Sequence, residues 1–336
     1  MMDNSPTRKN GQLRLFDTKL AASYGVAEMT FPAWFMKNRK VTTEIANQLK
    51  DEISTIQMAI AKCDPKVSTL FRVLMSDAIS RKIRMRFLGT GVGRFSFTLA
   101  QTPLARIFSK SLEDYVKVAA ISEWCRKTLN LKFASADVVA ADTRHIPDGL
   151  GPFDILLTSP PYLPASSGRE SYAKARAPSL IALGIKTHDN VDNLADDSIG
   201  SMDGNGVDIA SLTSEERRVV EWLQHDESRS IKAEPTARYF LDMRQTYREM
   251  LRILSPGALA VVVSGKQSIF YQFSTREVLL TVPCAELLAE EACGVGFEVV
   301  GLHDVQLNKA NMNARPRSLD SYFETLIFLR KPGVPR

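Results

Sequence analysis

Residues 154–162 read Asp-Ile-Leu-Leu-Thr-Ser-Pro-Pro-Tyr, and their types and order suit chemistry on a flat nitrogenous base. Ile155, Leu156 and Leu157 form a short apolar run that reads as a strand and stops at Thr158. Pro160 and Pro161 have fixed φ and no N–H, so they neither extend a central strand nor enter a helix interior. They leave carbonyls pointing outward in a stiff loop, with the Ser159 hydroxyl before them and the Tyr162 ring after. A hydroxyl and a carbonyl can accept both hydrogens of an exocyclic amino group while a ring stacks on the base face. A rigid loop after a buried strand is the plainer account, and any Pro-Pro pair supplies it; the full tetrapeptide at a strand end is the rarer arrangement.

Several elements must hold that loop. Residues 1–25 are polar and aperiodic and read as a flexible tail. A helical region is expected over 26–130: Ile45, Leu49, Ile53, Ile56 and Ile60 recur at helical spacing, Pro65 opens a second helix, and Pro103 opens a long third one. Alternation of strands and helices begins near Phe133. Asp137-Val-Val-Ala-Ala reads as a strand ending at Asp142, and Phe153–Leu157 as the next. Residues 163–234 are rich in Ser, Gly, Asp and Arg and read as an insertion too polar to be core, with one helix near 212–224. Helix Ala237–Leu254, strand Ala258–Val263, a helix at 285–293 and strands Phe297–Leu302 and Tyr322–Leu329 complete the pattern.

At Ser159-Pro160-Pro161-Tyr162 the chain resembles the amino-group DNA methyltransferases, which move a methyl group from S-adenosylmethionine to the N4 of cytosine or the N6 of adenine. The initial Ser resembles the cytosine branch, since adenine-modifying members more often begin this motif with Asp or Asn. The likeness runs from about Trp34 to Lys331 and is clearest after Phe133. It implies an α/β fold: a partial Rossmann-like methyltransferase sheet, mixed, with an antiparallel last strand, preceded by the helical region. The catalytic core is then 131–162 with 235–332, and 163–234 becomes a DNA-recognition or lid element. The resemblance also implies that Asp142 and Thr158 lie at the cofactor, although a strand-end Asp equally caps the following turn.

The family carries an Asp-Pro-Phe and a Gly-x-Gly turn that approaches the cofactor's amino-acid end, with an acid at the next strand for the ribose. This chain has no Asp-Pro-Phe. Its one candidate turn is Gly89-Thr-Gly91-Val-Gly93, preceded by Arg81, Lys82, Arg84 and Arg86, a run too basic for a central strand. That stretch reads either as a cofactor loop or as a basic surface loop that touches phosphate. Without the first two strands of such a sheet, two apolar strands keep unpaired edges, a costly arrangement. The resemblance therefore implies either a second protein subunit that supplies them or a first turn that has diverged from the family's pattern, with DNA as a partner.

The chemistry expected on this resemblance needs no covalent enzyme intermediate. Hydrogen bonds from both amino hydrogens, to Ser159 and to a carbonyl of Ser159 or Pro160, localise the nitrogen lone pair toward the methyl group. The base is flipped out of the duplex, and Tyr162 stacks on it. C5-cytosine chemistry, which uses a Pro-Cys nucleophile, is set aside. Arg169, Tyr172, Lys174, Arg176 and Lys186 suit a DNA backbone path, or simply a solvated loop. Alternatives of other classes are methylation of RNA or protein, and a non-catalytic DNA-recognition or scaffolding subunit.

With 336 residues, 44% apolar and 24% charged, the chain can bury a full core. The net charge of +5 permits a nucleic-acid partner without requiring one. No run reaches the roughly 18 apolar residues of a membrane span, and the first residues show no signal-peptide core, so a cytoplasmic location is expected. Cys63, Cys125, Cys284 and Cys293 are scattered, and His145, His188, His225 and His303 show no metal-ligand spacing, so no metal site is expected. The cysteines read as buried free thiols.

Overall fold

A computed structural model describes residues 29–37, 41–87, 95–132, 134–163, 176–191, 198–200, 207–272, 274–275, 277–306 and 323–333. The chain divides into two compact units, residues 1–135 with 170–194, and residues 136–169 with 195–336. The insertion expected at 163–234 is thus shared between them.

In the first unit, α1 (Ala33–Met36), α2 (Thr43–Ala61) and α3 (Pro65–Lys82) precede a hairpin of β1 (Ile83–Phe87) and β2 (Phe95–Leu99), followed by α4 (Leu104–Thr128). Thr42 caps α2 by accepting from Ile45 N–H, and Asp64 caps α3 by accepting from Lys66 N–H, with Pro65 at the first helical position. Phe35, Leu49, Ile53, Met75, Ile79 and Leu104 fill the core. Glu52 ties the start of α4 to this core, accepting from Leu104 N–H at 2.9 Å and pairing with Lys82 at 3.2 Å. On α4, Val116 and Trp124 stand exposed.

The hairpin corrects one expectation. A strand does follow the glycine-rich stretch: β1 and β2 pair antiparallel from Ile83↔Leu99 to Phe87↔Phe95. Basic residues suit this two-stranded ribbon, which is not a central buried strand. The alternation in Phe95-Ser-Phe-Thr-Leu was the overlooked signal.

The second unit is built on a four-stranded mixed sheet. Its strands are β3 (Phe153–Thr158), β4 (Leu254–Gly265), β7 (Glu298–Gln306) and β8 (Phe323–Arg330), in the order β3-β4-β8-β7. β3 and β4 are parallel, and the β4–β8 and β8–β7 pairs are antiparallel. The expected mixed α/β sheet with an antiparallel last strand is therefore present. Helices α5 (Ser214–His225), α6 (Ala233–Ile253) and α7 (Cys284–Val295) share its core, and a hairpin of β5 (Ser268–Tyr271) and β6 (Val278–Val282), absent from the sequence reading, lies between β4 and α7. Ala260, Val262, Ile327 and Leu329 point from the sheet into this core.

Two further expectations are corrected here. The insertion is not wholly outside the core: Leu212, Val219, Val220 and Leu223 are buried in it. Its polar average concealed a helical stripe, and Thr213 with Glu216 forms a reciprocal capping box at the start of α5. The strand expected at 137–142 does not form. Residues 137–141 carry no strand assignment, and only an isolated bridge joins Asp142 to His145. No strand among the described residues lies beside this segment to pair with it, and Val138 is 98% exposed.

β3 is an edge strand among the described residues. Leu156, opposite Ala260, leans toward the helix-covered core, whereas Ile155 is 70% and Leu157 72% exposed. Such apolar strands in parallel sheets are ordinarily buried on both faces.

Candidate active site

β3 runs parallel to β4 and stops at Thr158, opposite Val262, while β4 continues to Gly265. Ser159–Tyr162 thus emerges beside the carboxyl end of β4, the end at which ligands bind in open α/β sheets. Pro160 and Leu163 are buried and anchor the loop, while Ser159 and Pro161 are exposed. The Ser159 hydroxyl has no hydrogen-bond partner among the described residues, so it is free to accept from a ligand.

Tyr162 is held at its tip. Its hydroxyl donates to Glu324 Oε1 at 2.5 Å, and its ring lies against Gly265, where a Cβ would stand 3.5 Å from Cδ2. Tyr162 as a whole is 41% exposed. Nearby, Lys266 pairs with Asp304 at 2.8 Å and Thr325 donates to the same carboxylate at 2.7 Å. Those two hydrogen bonds hold the Asp304 carboxyl below the usual carboxylate range. Gly265 was missed from sequence; a glycine closing the run Ala-Val-Val-Val-Ser was the available signal.

Asp142 is engaged elsewhere. Arg144 donates to its carboxylate from Nε at 3.0 and 3.1 Å, from Nη2 at 2.7 Å and from its backbone N–H at 2.9 Å. A carboxylate has about four acceptor positions, so this one is filled. The Arg144 bonds also hold the Asp142 carboxyl below its ordinary range. Arg144 continues to Asp242 on α6 at 3.2 Å, and Glu249 accepts from Ile146 N–H at 2.9 Å, so the segment lies along α6.

Gly89, Gly91 and Gly93 lie outside the described residues, and their flanks are paired antiparallel strands, whereas a cofactor turn leads from a parallel strand into a helix. Thr158 is half-buried at the end of β3. Arg169, Tyr172 and Lys174 also lie outside the described residues, and Arg176 donates to Ser80 Oγ at 3.3 Å within the first unit.

The sequence does contain a Pro-Cys pair, Pro283-Cys284, which C5-cytosine chemistry would need. The structure decides against it as a nucleophile. Cys284 is buried, its thiol donates to the Val282 carbonyl at 3.4 Å, and burial pushes it up to about 11, so no thiolate is available near neutral pH. Cys293, expected to be buried, is exposed on the last turn of α7. Among the described residues no group of His, Cys, Asp and Glu could hold a metal ion, and no helix is long and apolar enough to cross a membrane.

No protein-family model matches the chain, and no curated protein matches it. Among solved structures, it is similar to a candidate DNA modification methylase of Thermus thermophilus in complex with S-adenosyl-L-methionine, at 18% identity and a TM-score of 0.25, over 31% of this chain and 41% of that one. A SAM-dependent methyltransferase of Methanosarcina mazei is similar at 13% identity and a TM-score of 0.20, over 28% of this chain and 53% of that one. The chain thus spans about half or less of either protein, and the functional reading rests on the site itself.

Proposed function

We propose that the second unit is the acceptor half of an S-adenosylmethionine-dependent methyltransferase acting on an exocyclic amino group of a DNA base, with cytosine N4 as the target. One observation carries this reading: a free Ser159 hydroxyl at the carboxyl end of a parallel strand, with a seated Tyr162 ring three residues on. Ser159 and a loop carbonyl accept the amino hydrogens and turn the nitrogen lone pair outward, and the ring supports the flipped base. Bound S-adenosylmethionine would supply the methyl group, and no residue described here is assigned to hold it.

A second polypeptide that completes the sheet belongs to the same proposal. Its support is that, among the described residues, the outer edge of β3 is open and segment 137–141 is unpaired, with Ile155 and Leu157 exposed. A non-catalytic DNA-recognition subunit is the competing reading, and the filled acceptor positions of Asp142 favour it.

The test is nucleoside mass spectrometry on DNA from cells that co-express the chain and its neighbouring gene product. N4-methylcytosine that disappears with Ser159→Ala is the expected result. N6-methyladenine would reassign the base, and DNA with neither product would leave the recognition-subunit reading standing.

A further inference from the structure

Glu324 takes no part in the chemistry proposed above, yet its carboxylate accepts from the hydroxyl at the tip of the Tyr162 ring. We propose that Glu324 is a positioning residue that sets the tilt of this ring before a base arrives. The seat itself stands on geometry; its use as a base platform rests on the methyltransferase reading.

Directly opposed residues of antiparallel strands project to the same face. Glu324 on β8 is opposite Gly265 on β4 and Val305 on β7. Its carboxylate therefore rises over a position where β4 has no side chain. The phenol ring occupies that gap: a Cβ at Gly265 would stand 3.5 Å from Cδ2, 3.8 Å from Cε2 and 3.9 Å from Cγ. A methyl group would only touch the ring, whereas a branched side chain would take its place. Gly265 has no positive φ, so space is what glycine supplies here. Pro160 and Pro161 stiffen the backbone before the ring, and the hydroxyl at its far end donates to Glu324 at 2.5 Å. A ring fixed at both ends keeps its exposed part in one orientation. Without the carboxylate it would spread over rotamers and be reordered on binding.

Incorporation of 3-fluorotyrosine tests the seat without any assay of methylation. The full chain carries eight tyrosines, and Tyr162→Phe identifies the signal of Tyr162 by deleting it. Glu324→Leu and Gly265→Val should both move that signal toward its solvent position and leave the others in place. Glu324→Gln keeps an acceptor and should leave it unchanged. The second arm uses a single-stranded oligonucleotide containing one 2-aminopurine, whose fluorescence falls when it stacks. Glu324→Leu should weaken this binding roughly five- to tenfold, the scale of one lost hydrogen bond. Tyr162→Phe should weaken it equally, and the double variant no further. A Tyr162 signal that stays in place in Glu324→Leu, or multiplicative losses in the double variant, would overturn the proposal. If wild-type protein gives no quenching while the fluorine shifts follow the pattern, the seat stands and the base-platform reading falls.

Discussion

Glu216→Gln should make the second unit more stable above neutral pH and should flatten its dependence on pH. The residue closes the capping box of α5, its Oε2 accepting from Thr213 N–H at 2.9 Å. It is 1% exposed, and its other oxygen has no partner. Arg244 of α6 reaches it at 3.5 Å but binds Glu291 of α7 more closely, at 2.5 and 2.7 Å. Two buried carboxylates thus share one guanidinium. Burial, followed by the charge of Glu291, pushes Glu216 from 4.5 up to about 7. The folded state therefore binds this proton more tightly than the unfolded chain does. The resulting stability is complete below about pH 4.5 and is lost as pH rises through about 7. At ~1.4 kcal/mol per pH unit the interval corresponds to at most on the order of 3 kcal/mol. The introduced glutamine would keep the carbonyl that accepts from Thr213 and would offer its amide hydrogens to Glu291, as the protonated acid does. At pH 8.5 the variant should exceed wild type by about 1–3 kcal/mol, and at pH 5 the two should agree within about 1 kcal/mol. Urea unfolding in a Trp34→Phe, Trp124→Phe background leaves Trp222, packed on Phe270 at 5.5 Å, to report on this unit alone. Parallel stability curves for the two proteins between pH 5 and 9 would refute the reasoning.

Ser159→Ala should cut methyl transfer by about 10²–10³ and leave the melting temperature unchanged, because the side chain is exposed and unpartnered; an unaltered rate in the co-expressed enzyme would remove Ser159 from the chemistry. Ile155→Ser with Leu157→Ser should change the urea stability of the chain alone by no more than about 0.5 kcal/mol per site, as surface substitutions do, yet abolish assembly with a second polypeptide; a loss of several kcal/mol in the chain alone would mean this face is already covered. Calorimetry of the chain alone should show no saturable binding of S-adenosylmethionine. One-to-one binding lost in Gly91→Asp would instead make Gly89, Gly91 and Gly93 a working cofactor loop.

Much of the second unit was legible because its signals are local. Val-Val-Val after Ser-Pro-Gly announces β4, and the Pro-Pro pair ends β3 where the structure ends it. Helix α5 was legible as a helix but not as core, since Leu212, Val219, Val220 and Leu223 are diluted by charged neighbours within the same turns. The segment 137–141 failed for the opposite reason: its residues suit a strand, but a strand exists only when another pairs with it. Whether Asp142 faces a ligand or an arginine is likewise a tertiary matter. Arg144 stands two residues away, and nothing in their spacing tells a paired carboxylate from a free one. The Tyr162–Glu324 contact spans 162 residues and had no local signal beyond the two residue types.

The open edge and the acceptor loop belong to one strand, and this connects assembly to chemistry. Among the described residues β3 is hydrogen-bonded on its β4 side only, so Ser159 is held from one side, while Ile155 and Leu157 stand exposed on the face opposite the helix-covered core. A strand added along the outer edge would satisfy the unpaired backbone groups, and a polypeptide that also covers the open face would bury those side chains. The same addition would bring new residues to the carboxyl end of the sheet, beside Thr158 and Ser159, where the described residues leave the methyl donor without a holder. On the proposed reading, alignment of the acceptor loop and affinity for the cofactor therefore arise in a single step. A ligand that binds only the assembled form adds RT ln(1 + [L]/Kd) to its stability. S-adenosylmethionine should accordingly tighten the association of the two polypeptides by the same factor by which the second polypeptide tightens its binding.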